Sequence, residues 1–249
     1  MSGPPRDHLE SLNPAQREAA AHDGERPLLV VAGAGTGKTN TLAHRVAHLL
    51  VEGADPRRIL LLTFTRRAAA EMIRRAQGIA LSVLRKGDAK RPAPSLHWAG
   101  TFHAVANRLL RLHAEGVGLD PAFTVLDRSD AADLMDLLRS ERLRAAEKAR
   151  FPRKSTCLAI YSHAVNAQRP LRETLERAFP WCADHEEPLR ELFAAYVEAK
   201  QARSVLDYDD LLLYWFHLMG EPALAERVRE RFDHVLVDEY QDTNALQAS

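Results

Sequence analysis

The chain has 249 residues, 46% of them hydrophobic, which suits one large α/β domain or one domain carrying an insertion. Lys and Arg number 34 and Asp and Glu number 34, so the zero net charge excludes a broadly basic nucleic-acid coat; any such surface must be a local patch. Two distant cysteines, Cys157 and Cys182, exclude a disulfide framework and point to a reducing, cytosolic setting.

Residues 1–7 are polar and read as a flexible tail, not a signal peptide. A helix begins at Leu12-Asn13-Pro14, where Asn13 is a good N-cap and Pro14 suits the first helical position. A polar turn, 22–26, leads to Pro27–Val31, an apolar run that predicts a buried strand. Ala32-Gly33-Ala34-Gly35-Thr36-Gly37-Lys38-Thr39 follows, and then Asn40 to Leu50 with apolar residues at helical spacing. Strand, glycine-rich turn and helix are the setting of a phosphate-binding loop. Glycines let successive N–H groups face phosphate oxygens, and the helix N-terminus adds free donors and a positive dipole end. Lys38 would reach the β/γ-phosphates, and the Thr39 hydroxyl would ligate Mg²⁺. Ala32 stands where the strict pattern has its first glycine; Gly33, Gly35 and Gly37 supply the freedom instead.

Ile59–Thr65 predicts a second buried strand, and Arg66–Met72 opens a helix. Lys86–Ser95 reads as a loop, 97–103 as a short strand or its exit, and Ala104–Leu112 as a helix. From about 116 to 200 helical patterns dominate, with stretches at 130–148, 171–179 and 189–203, which predicts a helical insertion. The arginines between Arg139 and Arg153 alternate with acids and apolar residues, as on a solvated helix face. Asp207–Leu213 predicts a capped helix returning toward the sheet domain. Leu211–Met219, the longest apolar run, is too short to span a bilayer. Phe232–Glu239 predicts a strand ending in two acids. Beside a phosphate loop such a pair has a defined chemistry. Asp238 can hold Mg²⁺ near Thr39, and Glu239 can orient or deprotonate the attacking water. His44 and His48 are four apart on a helix but lack the glutamate of a zinc-protease helix, and Cys157, His163, Cys182 and His185 are irregularly spaced.

These segments occur in the order of a known family. The chain resembles the N-terminal half of superfamily 1A DNA helicases of the UvrD/Rep/PcrA type. The matching stretches are Leu12–Ala19, Ala32–Thr39, Leu62–Thr65 with Ala68–Met72, Gly100–His103, Leu206–Leu211 and Val237–Asn244. The resemblance implies a RecA-like, phosphate-loop NTPase: an α/β fold with a parallel sheet flanked by helices and a helical inserted subdomain. On that basis residues 1–113 and 201–249 form the ATP-binding domain, and 114–200 the insertion. It further implies an ATP- and Mg²⁺-dependent 3′→5′ DNA helicase or translocase of the repair or replication type, cytoplasmic and nucleoid-associated.

The implied roles fall on matching residues. Gln16 would meet the adenine edge, beside the loop Ala32, Gly33, Ala34, Gly35, Thr36, Gly37, Lys38, Thr39 and Asn40, and Thr39 with Asp238 would hold Mg²⁺. Lys38, Glu239 and Gln241 would be catalytic, Gln241 coupling the γ-phosphate to the DNA side. On the residues alone Phe64 reads as a core phenylalanine at a strand end; the resemblance makes it a base-stacking residue. Thr65, Arg66, Thr101, Phe102 and His103 would line the single-strand groove. Arg66-Arg67 replaces the family's usual Asn-Lys, and Asn40 its usual arginine. Implied partners are single-stranded DNA, single-/double-strand junctions and the missing C-terminal helicase domain, with no membrane. The chain stops just past the acidic pair, so a strand shared by Pro27–Val31 and Phe232–Glu239 is expected to be absent. The isolated fragment is then expected to hydrolyse ATP very slowly and to unwind nothing. Two other readings remain at this point: a truncated, non-catalytic ATP- or single-strand-binding module, and a phosphate-loop ATPase unrelated to nucleic acid.

Overall fold

The computed structural model describes residues 7–86, 89–90, 92–142 and 151–248. By internal contact the chain divides into two compact units: residues 1–105 with 226–241, and 106–225 with 242–249.

The first unit is built on a three-stranded parallel sheet. Its strands are β1 (Ile59–Thr63), β2 (Trp98–Thr101) and β5 (His234–Val237), in the order β2-β1-β5. In register, Leu61 lies opposite Ala99 on one side and Leu236 on the other. All five residues of β1 are buried, as a central parallel strand covered on both faces requires. Helices α2 (Lys38–Val51) and α3 (Arg66–Leu84) pack together against it. Ala43, Val46, Ala47 and Leu50 of α2 meet Ile59 and Leu61 of β1 and Met72, Ala76 and Ala80 of α3 in one core. The alanines let the two helix backbones approach closely. Helix α1 (Pro14–Ala20) starts with a reciprocal capping box, the Asn13 side chain accepting from the Gln16 N–H and Gln16 from the Asn13 N–H.

The predicted strand at Pro27–Val31 is a correction. No strand forms there among the described residues, and Leu28, Leu29, Val30 and Val31 are 50%, 69%, 45% and 87% exposed. An apolar run becomes a strand only when a neighbour accepts its ladder bonds. The sheet ends at β5, which pairs only with β1 among the described residues. At the N-terminus, Asp7 belongs to a 3₁₀ turn (Asp7–Leu9) with buried His8 and Leu9, so the expected tail does not include it; residues 1–6 lie outside the described residues.

The second unit is mainly helical. α5 (Arg128–Arg142), α6 (Lys154–Ala167), α7 (Leu171–Ala178) and α8 (Glu186–Ala202) bury Met135, Cys157, Ile160, Leu175, Leu189, Leu192 and Tyr196 in one core. α4 (Phe102–His113) leads into this unit, and α10 (Pro222–Arg229) leads out of it. α11 (Ala245–Ala248) is its last turn. A two-residue parallel pairing, β3 (Thr124–Val125) with β4 (Val205–Leu206), precedes α9 (Tyr208–Gly220). α9 is capped by Asp207 as predicted. Residues 201–225 group by contact with this helical unit. Lys200 explains much of that: its ammonium lies 2.7 Å from an Asp207 oxygen and 2.5 Å from an Asp210 oxygen, all three side chains buried.

Two further sequence expectations change. α6 was not anticipated, and Arg139 is not solvated. Arg139 is buried and donates to Asp136 at 2.7 and 3.0 Å and to the Pro152 carbonyl at 3.4 Å. The predicted helix at 130–148 is observed to Arg142; the rest lies outside the described residues. Cys157 and Cys182 are buried and free. Among the described residues no helix is long and apolar enough to cross a membrane.

Candidate nucleotide site

The glycine-rich loop links exposed Val31 to α2, and its shape depends on two left-handed glycines. Gly35 has φ 75° and Gly37, the N-cap of α2, has φ 87°. Side chains rarely adopt that region. At Gly37 a Cβ would also lie 2.9 Å from Gln16 Nε2. That clash marks how closely α1 is pressed on the loop: Gln16 Nε2 donates to the Thr36 carbonyl at 2.9 Å. Gln16 therefore spends its oxygen on the α1 cap and its amide on the loop.

Lys38, the first residue of α2, folds back over the loop. Its ammonium donates to the carbonyls of Ala32 at 3.0 Å and Gly33 at 3.2 Å. The Thr36 hydroxyl donates to Gly33 at 2.7 Å. Gly33, Ala34 and Gly35 are exposed, and Thr39 and Asn40 are half-buried in the first turn of α2. No described residue hydrogen-bonds the Thr39 hydroxyl, leaving a hard oxygen donor at the helix N-terminus.

The acidic pair belongs to the same unit. The Asp238 N–H donates to the Leu62 carbonyl at 2.9 Å, extending the β1–β5 ladder by one bond and fixing the acid at the strand's carboxyl end. Asp238 is buried. Burial pushes its carboxyl up, Glu239 adds to the rise, and Lys38 is near enough to oppose it. A divalent cation beside Asp238 would relieve this, and the hydroxyl and carboxylate of Thr39 and Asp238 are the oxygen donors that Mg²⁺ prefers. Glu239 occupies the left-handed region at φ 47°, and its carboxylate accepts from Gln241 Nε2. Such backbone strain in a non-glycine residue often accompanies function.

The other predicted contacts fall at the same end of the sheet. Thr63 and Thr101 are register partners, so the residues after β1 and β2 emerge side by side, next to the exit of β5. In open parallel sheets ligands bind beyond the carboxyl ends of the strands. Phe64 is half-buried and its ring lies 5.4 Å from that of Phe102. Phe102 is 3% exposed, so it can bear on a ligand only by backing Phe64. The Thr65 hydroxyl caps α3 by accepting from Ala68 N–H at 3.1 Å, and Thr101 accepts from Ala104 N–H at 3.3 Å. Arg66 is exposed and His103 half-buried. The Lys38 and Gln16 contacts to loop carbonyls had no signal in the sequence, because no spacing rule encodes a side chain folding back on its own turn.

The first unit thus joins a parallel sheet, a glycine-rich loop at a helix N-terminus and two acids beyond the end of β5. The chain belongs to the UvrD/REP helicase N-terminal domain family, whose model matches residues 12–249. It is 36% identical over 242 residues to DNA helicase II of Escherichia coli, covering 96% of this chain and 31% of that protein. It is 37% identical over 242 residues to ATP-dependent DNA helicase PcrA of Leuconostoc citreum, covering 95% and 30%. For ATP-dependent DNA helicase UvrD1 of Mycobacterium leprae the identity is 35% over 245 residues, covering 96% and 29%. The chain thus spans about a third of the length of the curated relatives it matches.

Proposed function

We propose that this chain is the ATP-binding part of an ATP-dependent DNA helicase or translocase moving 3′→5′ on single-stranded DNA. In chain order residues 1–113 and 201–249 serve as the RecA-like domain and 114–200 as its helical insertion, although by contact 106–113, 201–225 and 242–249 group with the helical unit. The observation that carries this reading is the placement of Asp238 at the carboxyl end of β5, within electrostatic reach of Lys38.

In this reading the loop N–H groups and the Lys38 ammonium bind the triphosphate, Lys38 leaving the carbonyls of Ala32 and Gly33 to do so. Thr39 and Asp238 would hold Mg²⁺, which would supply positive charge against the triphosphate. Glu239 accepts a proton from the attacking water, and Gln241 holds the Glu239 carboxylate in position. Gln16 exchanges the Thr36 carbonyl for the adenine edge, where its amide supplies both donor and acceptor. Phe64 stacks on a base, and Thr65, Arg66, Thr101 and His103 meet phosphates. The DNA partners are single strands and their junctions with duplex, in the cytoplasm at the nucleoid.

The relatives' remaining two thirds would complete the groove and add the arginine that faces the γ-phosphate, worth roughly 10³–10⁵ in rate. These residues alone are therefore expected to bind nucleotide but turn it over very slowly and unwind nothing. Fluorescent-ATP binding with and without a short oligonucleotide tests the reading. Lys38→Ala should weaken nucleotide binding at least about tenfold, since it removes a charge-assisted phosphate contact. Equal affinity of Lys38→Ala and the native chain would refute the nucleotide site. Absence of any oligonucleotide binding would refute the DNA role.

A further inference from the structure

Beyond the acidic pair the chain crosses from the sheet unit at Gln241 to the helical unit at Asp242. Five residues after Glu239, Asn244 is held in the helical unit by two sets of bonds. Its oxygen accepts from the Gln247 N–H at 2.9 Å and its own N–H donates to Gln247 Oε1 at 3.0 Å, a reciprocal cap on α11. Its amide nitrogen donates to Asn166 Oδ1 at 2.7 Å.

Asn166, near the end of α6, can be oriented in only one way. Its amide nitrogen faces the Asp209 carboxylate at 2.5 Å and the Ser162 carbonyl at 2.8 Å, both acceptors. The carbonyl of Asn166 is therefore left for Asn244, and the sequence of donors is fixed: Asn244 to Asn166 to Asp209. Ser162 donates to the same Asp209 oxygen at 3.0 Å. Asp209 lies in the first turn of α9, which the buried Lys200 holds from the other side through Asp207 and Asp210. Tyr208 is exposed in that turn, and Ser162, Asn166, Tyr208 and Asp209 all line one cleft of about 580 Å³ within the helical unit. At the other end of the relay, Glu239 is held in a left-handed conformation unusual for its residue type.

We propose that Asn166 is a positioning residue that couples the segment after the acidic pair to the first turn of α9, so that nucleotide binding alters the cleft beside Tyr208. The inference rests on the nucleotide site proposed above. The coupling runs along the chain from Glu239 to Asn244 and then through side chains.

The decisive variant is Asn244→Asp. Aspartate keeps the α11 cap, because its oxygen still accepts from Gln247, but it cannot donate to Asn166. Asn166→Leu, close in shape and without polar atoms, breaks the relay at its centre. Hydrogen exchange of the amides of Tyr208–Leu212 is measured in the full chain with and without Mg²⁺ and a slowly hydrolysed ATP analogue. Native protein should change its exchange there about threefold or more on binding nucleotide. Both variants should lose that change while binding fluorescent ATP within about twofold of native. A nucleotide-bound native chain with no change in α9, or variants that respond as the native chain does, would overturn the relay. If the native chain and Lys38→Ala bind nucleotide equally poorly, the function reading falls first and the relay with it.

Discussion

Replacing Lys200 with methionine should be the most damaging single change in the helical unit, and its cost should depend on pH. The ammonium lies 2.7 Å from Asp207 and 2.5 Å from Asp210, and also sits 4.4 Å over the Tyr196 ring. The three charged side chains are 3%, 4% and 8% exposed, so water cannot replace the lost partner. Burial alone would lower the lysine's pKa, but the two carboxylates hold it above its ordinary range. Burial and then Asp207 push the Asp210 carboxyl up to about 6, even with Lys200 present. Leaving buried carboxylates without their cation costs about 3–5 kcal/mol. The variant can escape part of that cost by protonating Asp210. Losing Lys200 raises that carboxyl further, and each pH unit between the variant's value and the native value of about 6 recovers about 1.4 kcal/mol of the deficit, while below about 6 both proteins take up the proton alike. The sign follows: the folded variant binds the proton more tightly than the folded native protein, so its deficit shrinks as pH falls from 7.5 toward 6. Urea unfolding of both proteins, followed by circular dichroism at the two pH values, measures this. A deficit under about 1 kcal/mol near neutral pH, or one equal at both pH values, would refute the claim that a buried, unreplaceable cation holds α9 to α8.

Three other outcomes follow from the coordinates. Gly37→Ala forces a side chain into the left-handed region and against Gln16 Nε2; it should cost about 1–2 kcal/mol and release the Gln16 contact with Thr36, seen as a lower melting temperature and weaker nucleotide binding. In native-state hydrogen exchange the amides of Leu29–Val31 should exchange within the fastest class while those of Leu60–Leu62 stay protected; equal protection of both would contradict the unpaired run. Burial pushes the Cys157 thiol up to about 12, so a thiol reagent near pH 8 should label it only after unfolding, and rapid labelling of native protein would show the helical core to be open.

How far the sequence could be read depended on how local the cause was. The α1 cap, the glycine turn before α2 and the Asp207 cap were legible because a few neighbouring residues decide them. β1 was legible as an unbroken apolar run, and it is realised because β2 and β5 accept its ladder bonds on either side. Leu28–Val31 looks the same in sequence and behaves otherwise, since a strand needs a partner elsewhere in the chain. α6 escaped notice because Arg153 precedes it without a side-chain cap and its apolar residues have little helical periodicity. Lys200 reads as a solvent-facing lysine on a charged helix; its burial depends on two tyrosines and two aspartates brought together by folding. In the site, the residue types and their order were legible. The closing of Lys38 over its own loop was not, because it is a competition between ligands for one ammonium group.

The bare run at Leu28–Val31 has a practical consequence. It combines sticky aliphatic side chains with backbone groups that join no ladder among the described residues, and among those residues β5 is paired on one side only, with Val235 61% exposed. Those are the ingredients of edge-to-edge association between molecules. Preparations of this chain should therefore clump as concentration rises, and dilution series will be needed to separate the behaviour of single molecules from that of their aggregates.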